Sequence, residues 1–149
     1  FKLLTCETQD IIVGWMGYKF ITTKRCFYMT TIVSIDNIAL RECKSLLKLW
    51  SVCDLNPKLE IQWSSRMKTT LGLAYPNRSM IRLNKALANK KNRTLLLEAI
   101  CHELAHLVIH DIYGISVKPH GSEWRSLILK AGYEPRISIP KIELIQVPE

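Results

Sequence analysis

No apolar run in these 149 residues approaches the roughly 18 to 20 that a membrane-spanning helix requires. Cysteines are few and none are closely paired. Cys6, Cys26, Cys43, Cys53 and Cys101 make an odd number without a C-x-x-C spacing, which argues against a zinc knuckle or a dithiol redox site and predicts free thiols in a reducing compartment. The first residues lack the charged start, apolar centre and small-residue cleavage site of a secretory leader, so an intracellular, cytoplasmic location is expected. The chain opens on Phe1 rather than Met, as a processed protein or a fragment would. Composition excludes disordered and collagen-like classes, with 48% hydrophobic and 23% charged residues. The length suits a single domain that can bury a core without disulfide staples.

Acidic residues are the scarcer charge: 21 Lys and Arg against 13 Asp and Glu give a net charge of +8. Between Ser64 and Arg93 there is no acid at all, whereas Arg66, Lys68, Arg78, Arg82, Lys85, Lys90, Lys91 and Arg93 are basic. Such a stretch attracts polyanions, and it is equally well accounted for as a solvated face. Arg78, Lys85, Lys90, Lys91 and Arg93 flank turns or a helix start and are the candidate phosphate contacts. They lack the interleaved aromatics of a base-stacking platform.

Residues 1–34 form a segment of their own, either an appendage or extra strands, with Ile, Val, Thr, Tyr and Phe frequent over residues 11–35. Met29 precedes a well-formed helical start. From 35 to 149 the pattern predicts an α+β domain. A first helix, capped by Ser34 or Asp36, carries Ile38, Leu46, Leu47, Leu49, Trp50 and Cys53 and stops at Asn56-Pro57. Extended runs over Leu59–Trp63, Arg66–Tyr75 and Met80–Leu83 predict a small antiparallel sheet, a three-stranded meander turning at Pro76-Asn77-Arg78-Ser79. A second helix, capped by Thr94, is apolar nearly all round and is expected to be central. Gly114 ends that run, and a last helix covers Gly121 to Lys130.

All four histidines of the chain, His102, His106, His110 and His120, lie within one window of 19 residues. Two of them form His102-Glu103-Leu104-Ala105-His106, an H-E-x-x-H pattern on the central helix. Residues four apart share a helix face, about 6 Å apart along the axis, so both imidazoles can reach one zinc ion. Glu103 is offset from the metal direction, where a carboxylate can take a proton from an attacking water. Two core histidines and a surface carboxylate are the bland alternative. In so apolar a helix, however, each polar group needs a partner, and a metal supplies one.

A hydrolytic zinc site has three protein ligands and one open position. His110 lies eight residues, about 12 Å of helix rise, from His102 and suits a helix-end role instead. His120, free to fold back after Gly114, is the better third ligand, and Glu123 is the runner-up. Trp124 is expected to anchor the last helix in the core, and Tyr75 and Tyr113 to serve at the surface or in packing.

The string Leu97 to His106, followed by Pro119-His120-Gly121-Ser122-Glu123-Trp124, resembles the SprT-like zinc metalloproteases, the family that includes the DNA-protein crosslink protease Spartan. Trp63 to Gly72 and Ile81-Arg82-Leu83-Asn84 resemble the hairpin that precedes its zinc helices, so the likeness spans about residues 35 to 139. The resemblance implies a zincin-like domain with one Zn2+ held by His102, His106 and His120, and with Glu103 as general base. Its expected partners are a protein or peptide substrate and DNA, single-stranded or crosslinked, with no membrane. A DNA-linked role would place it at the nucleoid or nucleus, and a monomer is the expected state. Ser122 stands where a proline is frequent. No cysteine follows Cys101, so the paired-cysteine zinc ribbon of many members is lacking here, by truncation or by nature. Two rivals remain: a DNA-binding module around a structural zinc, and a zinc hydrolase acting on something other than protein.

Overall fold

The computed structural model describes residues 34–52, 59–139 and 144. The readings made for residues 1–33 lie outside this range. Helix α1, Ile35–Leu49, starts where Ser34 accepts a hydrogen bond from the Asn37 amide at 3.3 Å, and its buried face is Ala39, Cys43, Leu46 and Leu47. It ends well before Asn56-Pro57. Ser51 adopts a left-handed conformation (φ 61°), with Val52 N–H bonded to Leu47 O and Ser51 N–H to Lys48 O. This is a Schellman stop built on serine instead of glycine. The expected helical position Cys53 lies outside the described residues.

Strands β1 (Glu60–Ser64), β2 (Gly72–Tyr75) and β3 (Met80–Asn84) form one sheet in the order β1-β3-β2. The expectation of an antiparallel meander is half right. β2 and β3 are an antiparallel hairpin through Pro76–Arg78, but β1 runs parallel to β3. The cause is Asn84, only 5% exposed, whose side-chain amide donates to Met67 O at 2.8 Å and Thr70 O at 3.3 Å while its Oδ1 accepts from Ala86 N. These bonds hold the chain after β1 across the end of β3, so β2 forms on the far side. Only Gly72–Tyr75 of the expected Arg66–Tyr75 run is strand. The Met80–Leu83 run is the central strand with both sides paired, and its Met80, Ile81 and Leu83 are the most deeply buried run in the sheet. The edges are β1 and β2, and β2 is the one that lines the cleft described below.

Helix α2, Arg93–Tyr113, crosses the sheet and also touches α1 and α3. It starts at Asn92, slightly ahead of the expected Thr94 cap, since buried Asn92 bonds Ala86 O and fixes the short turns before it. Buried residues occur all around α2, from Leu95 to Ile109, and make it the centre of a single apolar cluster. Among the described residues, no helix is long and apolar enough to cross a membrane. Gly114 (φ 64°) closes α2 onto His110 O. After the turn at Pro119-His120, helix α3, Ser122–Lys130, packs back with Trp124 and Ile128 buried. A small α+β architecture of three strands and three helices results.

Candidate metal centre

His102 and His106 project from the same face of α2, one turn apart, and His120 returns to them from the start of α3. His106 Nε2 and His120 Nε2 are 3.1 Å apart, and His120 Nε2 and His102 Nε2 are 3.3 Å apart. Tetrahedral ligands at about 2.0–2.1 Å from zinc stand roughly 3.3 Å from one another, so this donor set fits such an ion. Among the described residues, this trio is the one group of His, Cys, Asp or Glu that can hold a metal, and no fourth member joins it. His110, Glu123 and Cys101 stay outside. Cys101 is fully buried, and the nearby Cys43 thiol belongs to its surroundings.

Burial pushes His102 and His106 down to about 4, helped by their neighbouring imidazoles, and pushes His120 down as well, with Arg125 adding to it. Neutral rings with free lone pairs are the form that binds a cation. Trp124, with no exposed surface, lies against all three rings: its centroid is 4.8 Å from His102 and His120, both edge-on, and 5.7 Å from His106, nearly parallel. Its Nε1–H donates to His102 O at 3.3 Å. The core-anchor reading of Trp124 therefore holds, and the same indole also fixes the imidazoles.

Glu103 faces the same cleft. Burial pushes its carboxyl up to about 7, and the Ala74 main-chain N–H bonded to it works in the opposite direction. Asn84 N–H bonds Leu71 O, which directs the main chain of Leu71, Leu73 and Tyr75 toward β3 and that of Gly72 and Ala74 outward to the cleft. Space for the carboxylate depends on Gly72, where an added β-carbon would lie 2.5 Å from Glu103 Cγ. The cleft, of ≈ 480 Å³, runs between Thr69–Ala74 on one wall and Ile137–Ile139 on the other. Glu103 and the three histidines form its floor. Apart from the three histidines, Glu103 is the one ionisable side chain among the described residues that lines it.

Tyr75 and Tyr113 are not in the cleft: Tyr75 Oη accepts from Arg82 at 3.0 Å, and Tyr113 is exposed at the end of α2. The basic candidates separate into two places. Lys85, Lys90, Lys91 and Arg93 are exposed and follow one another into the start of α2, with Arg93 in the field of Glu42. Arg78 lies at the other end of β3 and does not join them. Sequence reasoning missed Gly72, Ala74, Glu98 and Arg136. Only Glu98 left a signal, standing four residues before His102 as His106 stands four after.

Residues 40–143 match the model of the SprT-like family, and the chain belongs to that family. It is similar to Protein SprT of Pseudomonas putida (strain GB-1), 33% identical over 78 residues that cover 52% of this chain and 46% of that protein. Protein SprT of Pseudomonas fluorescens (strain SBW25) is 35% identical over 63 residues, covering 42% and 38%. Protein SprT of Pasteurella multocida (strain Pm70) is 40% identical over 57 residues, covering 38% and 34%. The matches thus span less than half the length of these relatives. Among solved structures, the crystal structure of the metallopeptidase zymogen of Pyrococcus abyssi abylysin aligns at a TM-score of 0.49 and 16% identity, over 62% of this chain and 77% of that one.

Proposed function

We propose that the chain carries a zincin-like, zinc-dependent peptidase domain in which His102, His106 and His120 hold one Zn2+ and Glu103 is the general base. The observation that carries this reading is the meeting of three imidazole Nε2 atoms and one buried carboxylate on the floor of a single open cleft. An ion held there supplies Lewis acidity, lowering the pKa of a water toward about 7 and polarising a scissile carbonyl. Glu103 accepts the proton of the attacking water and returns it to the leaving amine, work for which a carboxyl raised to about 7 is suited near neutral pH. The Ala74 N–H holds that carboxylate in one orientation. The indole of Trp124 keeps the imidazoles from turning away. A substrate segment in extended form can add along the outward-facing main chain of β2, with the Ile137–Ile139 wall closing over it.

Among the described residues no fourth protein ligand joins the trio, which supports catalysis over a structural zinc that closes its coordination with protein groups. Membership in the SprT-like family supports a protein or peptide substrate over other hydrolysable groups. DNA-bound or DNA-crosslinked proteins are the substrates we propose, on the strength of the basic side chains at the start of α2. The test is cleavage of casein, and of the chain itself, by zinc-loaded protein with and without single-stranded DNA, beside Glu103→Gln. Zinc retained with cleavage gone is the expected result for the variant, and DNA should stimulate the unsubstituted chain. Undiminished cleavage by Glu103→Gln overturns the assignment of the base.

A further inference from the structure

Beyond the floor of the cleft, one ion pair ties the chain that follows α3 to the metal helix. Arg136 grips Glu98 through a fork: Nη2 lies 2.6 Å from Oε1 and 2.7 Å from Oε2, and Nε lies 3.0 Å from Oε1. Both side chains are mostly buried, at 32% and 15% exposure, so this pair is less screened than a surface ion pair. Glu98 stands one helical turn before His102, on the same face of α2.

The main chain of Arg136 is itself a partner of His102, hydrogen-bonded to its imidazole. Since Nε2 of His102 is turned to His120, the nitrogen left for that bond is Nδ1, which donates to the Arg136 carbonyl. Such a bond fixes both tautomer and ring orientation: with the proton on Nδ1, the lone pair is on Nε2. We infer that the Glu98–Arg136 pair is a positioning device, clamping residue 136 so that its carbonyl presets the His102 imidazole for metal. The group that touches the ring is main chain and cannot be substituted. The Arg136 side chain in its ion pair is the part of this residue that substitution can reach. Ile137, Ser138 and Ile139, which follow directly, form the second wall of the cleft, so the same clamp also sets the width available to a substrate.

This inference rests on the reading of His102 as a ligand, and two readouts keep the two separable. Zn2+ affinity is measured by chelator competition on the full chain, and the His102 ring nitrogens are followed by 15N NMR in metal-free protein. The variants are Glu98→Gln, Arg136→Lys and the exchanged pair Glu98→Arg with Arg136→Glu. Arg136→Lys keeps the charge but loses the planar fork. Each single variant should bind Zn2+ about 10- to 100-fold more weakly, in the range for removal of the outer partners of a metal ligand. Metal-free His102 should change from the Nδ1–H form to a mixture of tautomers, and the exchanged pair should recover both readouts. Single variants that keep the Nδ1–H form and bind within about two-fold of the unsubstituted chain overturn the clamp. Should a single variant fail to fold, the exchanged pair decides: recovery supports the clamp, and folded protein with weak binding and mixed tautomers overturns it. If the unsubstituted chain binds no Zn2+, the metal reading falls, and the tautomer readout alone then supports or overturns the clamp.

Discussion

Gly72 lies so close to Glu103 that a β-carbon on residue 72 would stand 2.5 Å from Glu103 Cγ and 2.8 Å from Oε1. The neighbour that would have to give way is a carboxylate already tied to the Ala74 N–H. Gly72→Ala is therefore expected to displace the base while leaving the histidines alone. Zinc content and circular dichroism should be unchanged, with peptidase turnover down by about 10²-fold or more, the low end of what a general base contributes. Turnover within a few-fold of the unsubstituted chain would show that Glu103 has room to spare.

The acid stability of the metal-free chain follows from the shifted groups. His102 and His106 fall from 6.5 to about 4, and His120 moves the same way. Below pH 6.5 the unfolded chain takes up protons that the folded one refuses, so their contribution is complete above that value and is lost as pH falls toward 4. Glu103, raised from 4.5 to about 7, has the opposite sign: its contribution grows as pH falls from 7 toward 4.5. Three imidazoles outweigh one carboxyl. Urea unfolding across pH 4.5 to 8 should show net acid destabilisation, steeper in Glu103→Gln, where the opposing group is gone. Equal slopes in the two proteins would contradict the buried state of Glu103.

Cys43 and Cys101 are buried between α1 and α2, and burial pushes both thiols up to about 12. With Cys6, Cys26 and Cys53 replaced by serine, the folded chain should not react with a disulfide reagent at pH 8, and two thiols should appear on unfolding. The folded state keeps protons that the unfolded thiols release above about 9, so stability should also decline between pH 9 and 12. Fast labelling of the native protein would refute the packing described.

Lys85, Lys90 and Lys91, exposed ahead of α2, are the side chains whose removal tests a DNA surface. A triple Ala variant should bind single-stranded DNA more weakly regardless of sequence, with a salt dependence flattened by up to about 0.7 for each phosphate no longer neutralised. Arg78→Ala should behave like the unsubstituted chain, since the length of β3 separates it from the others. Weakening by Arg78→Ala of about one third of that in the triple variant, in proportion to the charge removed, would mean that net charge, and not a site, attracts the nucleic acid.

How far the sequence reaches depends on whether a signal is local. Helix α2 was legible because apolar residues on every side of it announce burial, and because His102 and His106 at four-residue spacing share a face by helical geometry alone. His120 ranks ahead of Glu123 because Gly114 frees the following chain to fold back, and the family resemblance implies the same residue. The stop of α1 was not, because serine at position 51 carries a left-handed turn that sequence rules assign to glycine. Strand order was hidden too: whether β1 pairs antiparallel with β2 or parallel with β3 is decided by where Asn84 holds the intervening loop.

The residues alone determined the order of helices and strands and the candidate imidazoles and carboxylate, because these follow from periodicity, from the chemistry of side chains a turn apart and from the break at Gly114. Tertiary structure alone decided what surrounds them: the mixed sheet that sets β2 as an edge beside the cleft, the gap at Gly72 that admits Glu103, the indole of Trp124 against all three rings, and Arg136 reaching Glu98 from 38 residues away. Contacts between distant segments depend on how the whole core closes, and no local pattern of residue types encodes that closure.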